Sequence, residues 1–466
     1  MFIGEDGQIH EECGVFGIYA KGCDVAQLTY FGLFALQHRG QEGCGIAVEN
    51  EDGIAYKRGL GLVTEVFNTD NLGKLKGDVA IGHVRYSTTG QNTENNVQPM
   101  VGYYEQGQIA LAHNGNLANT EELRERLSRN GAVFQATVDT EIVLHLLAQY
   151  GDIPLAQALV KAMTDLRGSY AFVALNKNKL YAARDPYGNR PLCLGKYKDG
   201  YVVASESCAL TTIGAEFIRD LLPGEVIVID DSGITSHMPE FKEKPKKAHC
   251  IFEYVYFARP DSTLDGINVN VTRRQMGAIL AKEIQKLDVD IVIPVPDSGT
   301  TAAIGFAEAQ GLTFTQGILK NRYAGRTFIQ PTQALRELMV NLKLNPIFEE
   351  IGGKRVAVVD DSIVRGTTSK RLIERLRESG AKEVHFLVTC PPVTHSCFYG
   401  IDTGNRDTLI GATHSLEEIA KYINADSLHF LSLEGLLESV GGSENFCTAC
   451  LDGKYHMGTP KDYKGE

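Results

Sequence analysis

The sequence predicts an α/β protein in two parts, a layered unit of sheets with attached helices followed by a doubly wound parallel sheet. Three observations carry that expectation. Short β-rich runs with two helix-like segments fill the first part, and the second alternates strand, loop and helix. Between them lies the lysine-rich stretch FKEKPKKAHC (241–250), the clearest compositional seam, which divides the 466 residues into halves of similar size.

In the first half, DVAIGHVRYSTTG, QIALAHNGNL, YAFVAL and EVIVID read as strands. NTEELRERLSRNG reads as a helix with Asn119 as its cap and Glu122 as the reciprocal partner, and DTEIVLHLLAQYG as a helix ending at a glycine. In the second half, VDIVIPVPDSG gives a buried strand and loop, TTAAIGFAEAQG a helix, then LTFTQGIL and KRVAVVDDSIVRGTT, and the amphipathic helix SKRLIERLRESG. Parallel sheets of this kind bind ligands outside the carboxyl ends of their strands.

Hydrophobic residues make up 43% of the chain and charged residues 22%, the balance of a globular protein with a real core. A net charge of −12 argues against nucleic acid as a partner, although a small anion needs only a local cradle. No apolar run approaches the ~18 residues of a membrane span. The acidic N-terminus (Glu5, Asp6, Glu11, Glu12) does not resemble a signal peptide, so a cytoplasmic location without a membrane partner is expected. Disulfides are disfavoured there, leaving metal binding, catalysis or burial for the ten cysteines. Cys23, Cys44, Cys193 and Cys208 read as small core residues.

In VAVVDDSIVRGTTSKRLIERL (356–376) a strand ends at Asp360 and Asp361, two carboxylates able to hold sugar hydroxyls and a magnesium ion. A turn of glycine and hydroxyls precedes a helix whose free N–H groups favour phosphate. VVDDSIVRGTT resembles the ribose-phosphate motif of type I phosphoribosyltransferases, which bind 5-phosphoribosyl-1-pyrophosphate. That resemblance implies roles in binding this substrate for Asp360, Asp361, Ser362, Arg365, Gly366, Thr367 and Thr368. PVPDSGT (294–300) would supply a second loop near the pyrophosphate, with Asp297 at the substrate and Ser298 near magnesium. KNRYAGRTFI (320–329) would be a basic lid whose Lys320, Arg322 and Arg326 screen the leaving diphosphate.

The first half holds ECGVFGI, LQHRGQEG, IGHVRYSTTG, LAHNGNL and TVDTE in that order, which together resemble the glutamine amidotransferase domain of the N-terminal nucleophile hydrolases. The resemblance implies a four-layer αββα fold, removal of residues 1–12 as a propeptide, and Cys13 as the first residue of the mature chain. Its α-amine, with an intrinsic pKa of about 7.7–8.0, would be the base. Asn114 and Gly115 would form the oxyanion hole, worth roughly 3–4 kcal/mol per donor. Arg85 would pair with the glutamine α-carboxylate and Asp139 with its α-ammonium, and Arg39 would stand near Cys13 as a closing element of the glutamine site.

FCTACLDGKYH carries Cys447 and Cys450, Cys250 lies at the seam, and CPPVTHSCFYG offers Cys390 and Cys397. From spacing alone, zinc, a [4Fe–4S] cluster, a redox pair and simple burial all remain open. Taken together, the motifs resemble the amidophosphoribosyltransferase family, some of whose members carry a propeptide and a cluster. That resemblance implies Cys250, Cys397, Cys447 and Cys450 as cluster ligands, one cluster and one magnesium ion per subunit, purine nucleotides as inhibitors and a homotetramer. It divides the chain into 1–12, a glutaminase domain 13–240, and a phosphoribosyltransferase domain with a cluster-binding tail, 241–466. The implied reaction consumes glutamine, 5-phosphoribosyl-1-pyrophosphate and water. Another amidotransferase, such as one making glucosamine 6-phosphate, would lack VVDDSIVRGTT. A purine-sensing regulator would have no use for Cys13, Asn114 and Asp139.

Overall fold

The computed structural model describes residues 13–86, 93–241, 245–321, 344–442, 444–461 and 463. The expected propeptide over 1–12 and the lid residues Arg322 and Arg326 lie outside the described residues.

Alternation within the strands builds the first half. In Gly14–Tyr19, Val15 and Tyr19 face an inner core while Phe16 and Ile18 face an outer one. Among the described residues this strand lies in a seven-stranded antiparallel sheet, next to Val79–Arg85 and Gly200–Ala204. A six-stranded antiparallel sheet, with Lys179–Arg184 and Gly168–Asn176 at its centre and Gly107–Leu117 beside them, packs on its inner face. Gly17 lets the sheets approach, since a Cβ there would lie 2.8 Å from a Leu180 methyl. The helix Val25–Ala35 covers the outer face of the first sheet, and Thr120–Arg129, Thr140–Gln149 and Leu155–Asp165 cover that of the second. The result is four layers, αββα.

Asn119 stands at the start of its helix but forms no capping box with Glu122. Its side-chain amide donates to the Asp165 carbonyl (2.9 Å) and accepts the Arg167 N–H (3.0 Å), so a tertiary tie displaces the local one. Cys44, Cys193 and Cys208 are core residues, whereas Cys23 is only half-buried.

In the second half Ile291–Pro294, Arg355–Asp360, Glu383–Val388 and Ser427–Phe430 form a parallel sheet in that order. Helices Val269–Glu283 and Gly299–Gln310 cover one face, and Thr367–Glu378 and Leu416–Ile423 the other. This is the doubly wound arrangement. LTFTQGIL does not join the sheet as a full strand. Phe314 makes one bridge to Val292, and Ile318–Lys320 pairs with Leu344–Pro346 apart from it.

The halves are stitched by buried polar groups. A hairpin from the second half turns at Asp265 and Gly266, both at positive φ, and sends the Asp265 carboxylate to Arg184 at 2.8 and 2.7 Å.

Candidate active site

Cys13 sits at the head of the strand Gly14–Tyr19, and Arg85 ends the neighbouring strand, so antiparallel register sets them side by side. They line one small cavity with Tyr86, Gln98, His113, Gly115, Val138 and Asp139. The Cys13 thiol donates to the Tyr86 carbonyl at 3.3 Å. Burial pushes it up to about 11, against the pull of the Tyr86 hydrogen bond and Arg85. Burial likewise lowers the Arg85 guanidinium, opposed by Cys13, Glu42 and Asp139.

Gly115 lies at φ +138°, and a Cβ there would meet the Ser169 carbonyl oxygen at 2.3 Å, so only glycine fits. Asn114 is fully buried beside the cavity without lining it. Its Nδ2 donates to Ser205 Oγ at 3.5 Å, and the same oxygen accepts the Val15 N–H at 2.9 Å. Asn114 Oδ1 is buried without a hydrogen-bond partner, an exception that native interiors rarely tolerate outside ligand sites. Asp139, 2% exposed, starts the helix Thr140–Gln149 without capping it through its side chain. Its carboxylate accepts the Leu117 N–H at 3.0 Å and meets His113 Nδ1 at 3.2 Å.

Arg39 lies next to Cys13, as expected, and does not line the cavity. Its Nε donates to the Cys13 carbonyl at 3.1 Å, while its Nη atoms reach Glu206 (2.6 Å) and Glu253 (3.0 and 2.6 Å). Burial would raise the Glu206 carboxyl, but His38 and Arg39 outweigh it and hold it well below the usual range. Closing over glutamine would cost Arg39 these buried partners. Tyr86 and His113 were within reach of sequence reading, because they lie inside the quoted motifs. Ser205 and Glu206 carried no signal beyond a polar pair between a strand and a helix.

At the other site, Asp360 ends its strand and Asp361 is buried beside it. Ser298 and Ser362 both donate to Asp361, the latter at 2.6 Å, and the Asp361 N–H donates to Asp360 Oδ1 at 3.0 Å. Burial pushes both carboxyls up, and the Asp361 charge adds to the shift at Asp360. Gly299 permits this approach, since a Cβ would lie 2.5 Å from the Val359 carbonyl oxygen. Arg365 and Gly366 (φ +74°) lead into the helix Thr367–Glu378, which begins with Thr367 and Thr368. Lys320 pairs with Asp297 at 2.7 Å.

Cys250 and Cys447 are paired across the parallel ribbon of His249–Cys250 with Phe446–Cys447. The Cys450 carbonyl accepts the N–H groups of Thr394 (3.0 Å) and His395 (3.1 Å), the segment that leads to Cys397. Burial pushes Cys250 and Cys447 up to about 12, and Arg190 pulls both back. Cys450 is raised well above its ordinary value by burial, then by Cys397, Cys447 and Cys250, with Cys390 last. Among the described residues, no group of three or more His, Cys, Asp or Glu is arranged to hold a metal ion. The expected magnesium and cluster residues are thus neighbours rather than preformed cages. Nor is any helix among them long and apolar enough to cross a membrane.

Residues 83–212 match a glutamine amidotransferase domain. The chain is 47% identical over 453 residues to the amidophosphoribosyltransferase of Bacillus subtilis (strain 168), covering 96% of this chain and 94% of that one. It is 48% identical over 456 residues to the Archaeoglobus fulgidus enzyme of the same name, covering 96% and 98%. Among solved structures it is similar to the glutamine phosphoribosylpyrophosphate amidotransferase from B. subtilis complexed with ADP and GMP, with a TM-score of 0.90, 46% identity, and 97% and 98% of the two chains covered. With one site built around a thiol, another around paired carboxylates at a parallel-sheet edge, and this similarity over nearly its whole length, the chain belongs to the amidophosphoribosyltransferase family.

Proposed function

We propose that the chain transfers the amide nitrogen of glutamine to 5-phosphoribosyl-1-pyrophosphate, giving 5-phosphoribosylamine, glutamate and diphosphate, the first step of purine biosynthesis. The observation that carries this is the cavity uniting Cys13, Arg85, Gly115 and Asp139, in one chain with the Asp360–Asp361 pair. The glutaminase domain would span 13–240 and the phosphoribosyltransferase domain with its tail 241–466.

With residues 1–12 removed, the Cys13 α-amine takes the thiol proton and the thiolate attacks the glutamine side-chain carbonyl carbon. The Gly115 N–H and the Asn114 amide stabilise the oxyanion. Collapse expels ammonia, with its proton returned by the α-amine, and water hydrolyses the thioester to glutamate. Arg85 and Asp139 orient the substrate's α-carboxylate and α-ammonium. Ammonia then passes inside the protein to C1 of the ribose, where it displaces diphosphate. Asp360 and Asp361 hold the ribose, the 362–368 turn its phosphate, and Asp297, Lys320, Arg322 and Arg326 the diphosphate.

The donors fit both groups that the family implies. Ser298, Asp360 and Asp361 would hold magnesium, because two crowded carboxylates raised by burial are relieved by a cation. Bound there, magnesium supplies charge screening for the diphosphate. Cys250, Cys397, Cys447 and Cys450 would hold a [4Fe–4S] cluster, since Cys250 and Cys447 are paired across the ribbon, the Cys450 carbonyl holds the segment that leads to Cys397, and Arg190 is at hand to offset thiolate charge. The family resemblance implies purine nucleotides as inhibitors, in keeping with a relative complexed with ADP and GMP, and a homotetramer.

The test is glutamate release from glutamine by anaerobically purified protein, with and without phosphoribosyl pyrophosphate and magnesium. A strong rise with the cosubstrate, matched by diphosphate release and lost in Cys13→Ala, is expected. Release indifferent to the cosubstrate would overturn the phosphoribosyl reading. Sedimentation of the same protein as a monomer would overturn the tetramer.

A further inference from the structure

The second half touches the first directly behind Gly115. The segment 396–400 lies against the strand Gly107–Leu117, where a Cβ on Gly400 would sit 3.6 Å from the Gly115 Cα and carbonyl carbon and 3.7 Å from the Asn116 nitrogen. Two side chains of the first half grip it. Asn116 Nδ2 donates to the Phe398 carbonyl at 2.9 Å, and Ser169 Oγ donates to the Tyr399 carbonyl at 2.5 Å. Ser169 is fully buried and pairs with Asn116 in register across adjacent strands. Its own carbonyl oxygen is the atom that a Cβ on Gly115 would meet at 2.3 Å. One residue therefore holds the foreign loop with its hydroxyl and fixes the glycine with its backbone.

The loop is stiff from the far side as well. Tyr399 Oη donates to the Gly458 carbonyl at 2.9 Å, Tyr455 Oη to the Ser396 carbonyl at 2.6 Å, and the Phe398 ring packs 5.0 Å from those of Tyr455 and Tyr463. Neither Asn116 nor Ser169 lines the cavity around Cys13.

We propose that Asn116 and Ser169 are positioning residues for ammonia release. By clasping the Phe398 and Tyr399 carbonyls they hold the Gly115 N–H in the place where the glutamine oxyanion forms. This rests on the reading of Cys13 and Gly115 as a glutaminase site. A donor displaced by about 1 Å loses most of its transition-state value while ground-state binding, set by Arg85 and Asp139, is kept.

The test uses Asn116→Ala and Ser169→Ala in the full chain, each measured three ways. Glutamine hydrolysis should fall about tenfold to a hundredfold in kcat with KM within twofold. Diphosphate release driven by added ammonia in place of glutamine, and alkylation of Cys13 by iodoacetamide, should both stay at the parent rate. Unchanged kcat, a rise in KM instead, or equal loss of the ammonia-driven reaction would each overturn the proposal. Asn116 is only half-buried, so its variant carries the test where the Ser169 change unfolds the chain. Failure of the glutaminase reading itself shows separately, as glutamine hydrolysis surviving in Cys13→Ala.

Discussion

Glu253 takes the guanidinium of Arg39 in a two-pronged, fully buried ion pair at 3.0 and 2.6 Å, and the third nitrogen of the same group donates to the Cys13 carbonyl. Glu253 lies three residues after Cys250, so the pair crosses the seam between the halves. Removing one member of such a pair strands a charge, which costs about 3–5 kcal/mol. Arg39→Met, which takes the guanidinium from both Glu253 and Glu206, should lower stability by that order in urea unfolding, and Glu253→Gln by less, because Glu206 still holds Arg39 at 2.6 Å. The double variant should lose less than the sum of the two, as a thermodynamic cycle will show. Additive losses would mean that the pair is not coupled.

The position of Cys13 at a buried strand head bears on pH. With its thiol pushed up to about 11, it is protonated at neutral pH. An α-amine base predicts that kcat/KM for glutamine hydrolysis rises with pH through the amine's range, about 7.7–8.0, and then levels. A profile still climbing toward pH 10 would show the thiol titrating unaided.

Asp220 faces Asp265 and Arg184 at the seam. Burial and the Asp265 carboxylate push it up to about 7, against Arg184. Its folded value lies above its unfolded one of about 3.9, so the folded state holds more protons between those limits. Stability from this group is full at low pH and is lost as pH rises through 7. Asp220→Asn should therefore flatten the decline in urea midpoint between pH 5 and pH 8. A slope identical to the parent's would show that Asp220 titrates normally.

The helices Val269–Glu283 and Gly299–Gln310 touch backbone to backbone at Gly277, where a Cβ would lie 1.9 Å from the Ala302 carbonyl oxygen. Gly277→Ala must push them apart, with an expected loss of about 1–3 kcal/mol from overpacking. Thermal unfolding would reveal it, and an unchanged Tm would show that the helix pair yields freely.

Much of this was legible in the chain. The β-rich run over Val79–Arg85 and the apolar run before Asp360 announce their strands, because a strand's own side chains decide which faces are buried. Cys13, Arg85 and Asp139, far apart in sequence, meet at one cavity as the motifs implied. Asn119 misled because Asp165 and Arg167, from another segment, compete for its side chain. Arg39 does lie next to Cys13, but its other partners were hidden for a related reason. Nothing local says that its partners are Glu206 and Glu253, which only the folded seam brings to it.

The ribbon that pairs Cys250 with Cys447 also sets a clock for biosynthesis. Its second strand leaves the ribosome roughly two hundred residues after its first. At about 5–20 residues per second that is a wait of ~10–40 s. Meanwhile the sheets around Cys13 can form, but Gly115 lacks the 396–400 segment behind it and the thiols at the seam lack their partners. On the proposed reading, a nascent or truncated chain would therefore hold an unfinished ammonia source until the half that consumes the ammonia has been made.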